Sequence, residues 1–354
     1  MLWLDAVKGG CILLVMLAHT HLAKAGANPY PDYLLKFLSY FMACYMPAFY
    51  VLSGYTFKDS PGILTKRFGQ LITPYAIWSL IYFLCYLLVS ICRGEISPCT
   101  WGIKLLGCLY SRIDVMHEGA GSILPLMPPG LGPLWFLTSL FTAYALYIPL
   151  HRAKGTSKLS YILGYILLTL LLHQCPILLP WSIDTAFAGA LFIFAGNQIK
   201  RTGLFASVNA KSILTGAILL PIYIWTARNN GGSGYMFCRN YGSLGWYAPI
   251  VFLIMGITGT YLWCLTAMIL EKSHLAWPLY KIGKHSLTLL CSHMFFYMII
   301  CEGTKYIITY IPHRAWIDCF IPYIFVIQMA TTICAASIFS RFGVSLSTFR
   351  RTPH

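Results

Sequence analysis

The feature that limits this chain most is the recurrence of long apolar runs. Runs of roughly 17 to 25 apolar residues follow one another along almost the whole sequence, and a helix of that length crosses about 30 Å of hydrocarbon. Composition agrees, since 58% of the 354 residues are hydrophobic and only 10% are charged, where a soluble domain carries about 25%. The expected fold is all-α, a polytopic transmembrane helical bundle of about ten spans. These fall near residues 9–25, 35–57, 71–92, 134–150, 160–179, 183–199, 212–227, 247–270, 286–309 and 316–340. Residues 1–354 are expected to form a single membrane-embedded domain, with no segment long enough to fold as a separate soluble unit.

An even number of spans puts both termini on one side, and the bias of Lys and Arg in short loops places that side in the cytoplasm. Lys8, Lys58, Lys66, Arg67, Arg152 and Lys200 then fall inside, while Arg93, Lys104 and Arg112 fall in an outer loop. The formal charge of +15 therefore reflects topology. The basic residues sit at helix ends rather than on one face, so no nucleic-acid partner is expected. The 13 cysteines include no CxxC pair and read as small hydrophobes, with room for one bridge at most among Cys92, Cys99 and Cys108. No metal site is expected. The first run lacks a small-residue cleavage site and carries polar groups, so it reads as a retained helix.

That first run, "LDAVKGGCILLVMLAHTH", carries polar groups at both ends. Lys8 and His19 are eleven residues apart, close to three turns, so both project from nearly one face about 16 Å apart along the axis. Lys8 belongs at the cytoplasmic surface and His19 deep in the protein. Ionisable residues inside spans are costly and usually face a cavity or pathway. A hydrogen-bonded structural histidine is the plainer account of His19, and His21 reads as a solvated helix-end residue. Asp5 pairs with Lys8 one turn away rather than with His19. For His293, a functional role and a satisfied interior histidine stand level, as do a functional role and helix capping for Asp184. Trp135 fits an interfacial tryptophan belt.

Taken in order, these segments resemble the integral membrane acyltransferase 3 family, particularly the branch that O-acetylates sugars of bacterial surface polysaccharides. The opening pattern is matched by Trp3, Asp5, Lys8, Gly9, Val15 and His19, including the basic-residue to histidine spacing of Lys8 and His19. Further matches are "MPAFYVLSGY", "KRFGQLITPY", "LWFL", "WSIDTAFAGALFIFAG" and "YKIGKHSLTLLCSH", reaching from residue 3 to about 293. Two positions depart from the family pattern. Tyr45 stands where many relatives carry a histidine, and Gln70 stands where many carry a second arginine after Arg67.

The resemblance implies a membrane O-acyltransferase of the bacterial inner membrane. It would move an acyl group, expected to be acetyl, from cytoplasmic acyl-CoA to a hydroxyl of a saccharide or glycolipid acceptor. It needs no cofactor beyond acyl-CoA as donor substrate, and its partners are that donor, the acceptor and the lipid bilayer. Lys58, Lys66 and Arg67, with Lys8 nearby, would neutralise CoA phosphates. His19 would serve as general base, with an acyl-histidine route open, and His293 is the second catalytic candidate. Trp135, Asp184 and Tyr45 are the remaining substrate-binding candidates. The Lys8–His19 face is expected to line an inward-opening cavity with the basic residues of the 58–67 segment at its mouth. The competing class is a multi-helix solute transporter, disfavoured because no internal repeat is visible, and a non-catalytic scaffold would leave His19 without a role.

Overall fold

The first helix begins earlier than its apolar run. In the computed structural model, which describes residues 2–19, 40, 43–95, 97–112, 126–205, 207–230, 241–310, 330 and 334, α1 spans Leu2–His19. Asp5 and Lys8 sit within it because they satisfy each other, Lys8 Nζ donating to Asp5 Oδ1 at 3.2 Å. Trp3 and Leu4 before them are buried.

The described chain is all-helical with no run of β-strand. The helices are α2 (Tyr45–Tyr55), α3 (Ile63–Cys92), α4 (Pro98–Tyr110), α5 (Trp135–Arg152), α6 (Gly155–His173), α7 (Ile183–Thr202), α8 (Ala210–Asn229), α9 (Ala248–Lys272), α10 (Trp277–Lys284) and α11 (Ser286–Tyr310). Six helical stretches are long and apolar enough to cross a membrane: α1, α3, α6, α8, and α5 and α9 each with its leading 3₁₀ turn. The expected count of about ten is therefore not carried by the described residues. The expected span at 35–57 contains only the 11-residue α2 as a described helix, and the one at 316–340 lies outside the described residues apart from positions 330 and 334.

Two helix crossings fix the bundle around the candidate site, and both need glycine. Gly9 on α1 and Gly283 on α10 bring the two backbones together, so that a Cβ on Gly283 would strike the Asp5 carbonyl and one on Gly9 would strike that of Leu279. Gly54 on α2 and Gly196 on α7 do the same against the Ile193 and Val51 carbonyls. In a bilayer, where lipid is as apolar as Leu, close backbone approach supplies the packing that holds helices together. Two-thirds of α1 is buried and only about a tenth of α6, so α1 is enclosed while α6 turns Leu163, Leu167 and Leu171 outward, as a lipid-facing helix should.

Three local expectations need correcting. Lys66 and Arg67 lie on the first turns of α3 rather than in a loop. The stretch expected as an outer loop holds α4, started by Ser97, whose side chain accepts from Thr100 N, with Pro98 in the first turn. Lys104 and Arg112, placed there as loop charges, are buried at 8% and 1% exposure. A 13-residue helix is too short to register as a span, which is why Lys104 on it and Arg112 just beyond it looked like exposed loop charges. Cys92, Cys99 and Cys108 are free thiols.

Candidate active site

At the end of α1, the His19 side chain folds back over its own last turn, and Nδ1 lies 2.7 Å from the Val15 carbonyl oxygen. A carbonyl only accepts, so Nδ1 carries the proton, and the neutral ring keeps its basic lone pair on Nε2. The backbone acceptor that orients this imidazole is thus one turn upstream, a partner that residue spacing alone did not single out.

The second imidazole of the site comes from α11. His293 is fully buried, and its ring centroid lies 5.3 Å from that of His19 at an interplanar angle of 60°. Its Nδ1 is 3.0 Å from the Leu289 carbonyl and 2.9 Å from that of Leu290, which assigns the same tautomer by the same logic. Two imidazoles separated by 274 positions in sequence therefore meet edge to face, each with Nδ1 bound to its own helix. Tyr82 on α3 buttresses α11 beside them, its hydroxyl donating to the Cys291 carbonyl at 3.1 Å.

The cationic candidates do not gather in one place. Lys8 turns to Asp5. Lys58 and Lys66 are exposed. Arg67 is half-buried, with its guanidinium 4.4 Å over the Tyr144 ring and Nη1 donating to Gln70 Oε1 at 3.0 Å. Gln70, the residue that departs from the family pattern, is buried and holds Arg67 by a neutral amide. Among the described residues no hydrogen bond, ion pair or ring contact joins these four cations to one another.

Tyr45 opens α2 and is buried. Trp135 is buried too, edge-on to Phe136, which removes the interfacial-belt account. His21 lies outside the described residues.

Asp184 is not a helix cap. The N-cap of α7 is Ser182, whose side chain makes no capping bond, and the Asp184 carboxylate forms a buried ion pair with Arg112. Arg112 Nη1 also donates to Ser182 Oγ at 3.1 Å. Ser111 and Thr138 hydroxyls meet at 2.7 Å, and Tyr50 donates to Ser139, the next residue of α5, at 2.8 Å. Four non-glycine residues among those described have positive φ, and three of them, Ser111, Trp181 and Ser182, surround this pair. Strained backbone of this kind concentrates at functional positions. Sequence reasoning missed Arg112, and its only signal was an arginine closing an apolar 13-residue run.

A family model described as an acyltransferase domain matches residues 1–345. The chain belongs to the acyltransferase 3 family. It is accordingly a membrane-embedded acyltransferase, and the two histidines brought together by α1 and α11 both lie inside the matched region. No curated protein and no solved structure matches the chain.

Proposed function

We propose that this acyltransferase 3 member transfers an acyl group, in the first instance acetyl, from cytoplasmic acyl-CoA to a hydroxyl of a cell-surface saccharide or glycolipid, with His19 as general base. The observation that carries this reading is the His19–His293 contact, in which Nδ1 of His19 is engaged by the Val15 carbonyl and Nε2 keeps the lone pair. A sugar hydroxyl is a poor nucleophile until its proton leaves, and an imidazole whose unperturbed pKa is near 6.5 is suited to receive it. As the hydroxyl oxygen attacks the thioester carbonyl, His19 Nε2 takes its proton. When the C–S bond breaks, the resulting imidazolium returns that proton to the CoA thiolate, so the products are the ester and free CoA. His293 packs against the ring that becomes charged and assists in this proton traffic.

Donor binding rests on Arg67, whose guanidinium is held over the Tyr144 ring and would offer its remaining N–H groups to a phosphate. Lys66 beside it and Lys58 on the preceding segment add charge.

The test uses the full chain in lipid nanodiscs with radiolabelled acetyl-CoA and host-cell polysaccharide de-O-acylated by mild base as acceptor. His19→Ala should lower transfer by about 10² to 10⁴ while the protein elutes and unfolds like wild type. Transfer at the wild-type rate would sink the assignment of His19.

A further inference from the structure

We infer that the buried stripe Tyr75–Trp78–Tyr82 on α3 is the binding platform for the polyhydroxylated acceptor, with the Trp78 indole N–H as a donor to one of its oxygens. This deepens the proposed saccharide reading and rests on it.

The three residues are spaced i, i+3, i+7 and so share one face of α3. All three are buried, at 5%, 5% and 1% exposure. The two ends of the stripe are anchored to two different polar centres. Tyr75 donates to the Cys108 carbonyl at 2.7 Å, four residues before Arg112 of the Arg112–Asp184 pair. Tyr82 donates to the Cys291 carbonyl at 3.1 Å, two residues before His293. Seven residues of helix separate Tyr75 from Tyr82, about 10 Å, roughly the span of two linked sugar rings. The stripe therefore runs between the centre that holds the proposed base and a second, strained, charged one.

Trp78 sits between the anchors, 6.1 Å from the Tyr82 ring and 6.4 Å from that of Phe295 on α11. Its Nε1–H is buried and has no hydrogen-bond partner among the described residues. Buried tryptophans normally find a partner for that proton, and in a membrane interior an unmade bond is costly. An aromatic surface with a donor to spare is what a sugar requires. Its C–H faces lie against rings, its hydroxyls take N–H donors, and vicinal hydroxyl pairs fit an Arg–Asp couple. An acyl chain would use none of the polar groups, and the CoA phosphates would demand cations that this stripe lacks.

The experiment removes the N–H, in one of two variants with the bicyclic shape kept. Trp78→Phe, and in parallel genetically encoded β-(3-benzothienyl)alanine at position 78, which keeps the bicyclic shape and exchanges N–H for sulfur, are assayed in nanodiscs with acetyl-CoA and the de-O-acylated polysaccharide. The expected result is a rise of about three- to tenfold in the KM for the acceptor, the effect of losing one neutral hydrogen bond. The KM for acetyl-CoA and its slow hydrolysis without acceptor should stay at wild-type values. An unchanged acceptor KM in both proteins overturns the platform and leaves His19 as base untouched. A fall in acceptor-free hydrolysis equal to the fall in transfer also overturns it, by placing Trp78 at the donor or the base. Failure of the parent reading shows separately, as a His19→Ala protein that still transfers label.

Discussion

Removing one partner of the Arg112–Asp184 pair should cost far more than removing one partner of the Arg152–Asp59 pair, although both are arginine–aspartate contacts. The side chains of Arg112 and Asp184 are 2% and 6% exposed, against 57% and 31% for Arg152 and Asp59. Asp184→Asn leaves a guanidinium in a water-poor interior with its carboxylate gone, and breaking a buried pair in this way costs about 3 to 5 kcal/mol. Asp59→Asn exposes its arginine to solvent that screens it, so the effect should be marginal. Replacing both buried groups at once, Arg112→Met with Asp184→Leu, removes the orphaned charge and should recover most of the loss. Thermal unfolding of the purified proteins at one detergent and lipid composition reads all four. The expected pattern is a large drop for Asp184→Asn, a similar drop for Arg112→Gln, recovery in the double apolar variant and little change for Asp59→Asn. Additive losses in the double variant would refute the coupling, and an Asp184→Asn midpoint equal to wild type would refute the burial argument itself. Transfer activity of the apolar variant should still be impaired, because the pair also flanks the proposed acceptor platform.

Four further outcomes follow. Arg67→Ala should raise the KM for acyl-CoA with kcat nearly unchanged, since the lost charge would meet phosphate rather than the reacting carbonyl; an unchanged KM would return Arg67 to setting topology. The Arg152 guanidinium, by its hydrogen bonds to Asp59, holds that carboxyl below its usual range. The stability it adds is therefore complete above about pH 4 and fades as the pH falls through the lowered value, so wild type should lose its advantage over Asp59→Asn in melts below that pH. Gly283→Ala should destabilise by about 1 to 3 kcal/mol or more, because its Cβ meets Asp5 backbone and the helices must part. Gly164→Ala, with open space around it on α6, should be neutral or slightly stabilising in the same melts.

Much of this protein was legible in its apolar periodicity, because a helix that must cross lipid announces itself by length and hydropathy alone. The positions of α3 and of α5 through α9, and the start of α11, follow from that rule. So does the Asp5–Lys8 pair, since i,i+3 neighbours on a helix meet whatever surrounds them. His19 was singled out because an ionisable residue in an apolar run is costly anywhere. What packs against it was not readable. The contact of His19 with His293 depends on how α1 crosses α10 and α11, and that crossing is set by Gly9 and Gly283, whose lack of a side chain carries no hint of a partner. Arg112 was read as an exposed loop charge because burial is a property of what lies over a residue, and an arginine reads identically whether water or Asp184 faces it. In the sequence, Trp78 is one more aromatic in an apolar run. Only the tertiary arrangement placed it between two polar centres, because helices pack by shape and the faces they turn to one another are fixed by residues far apart in the chain.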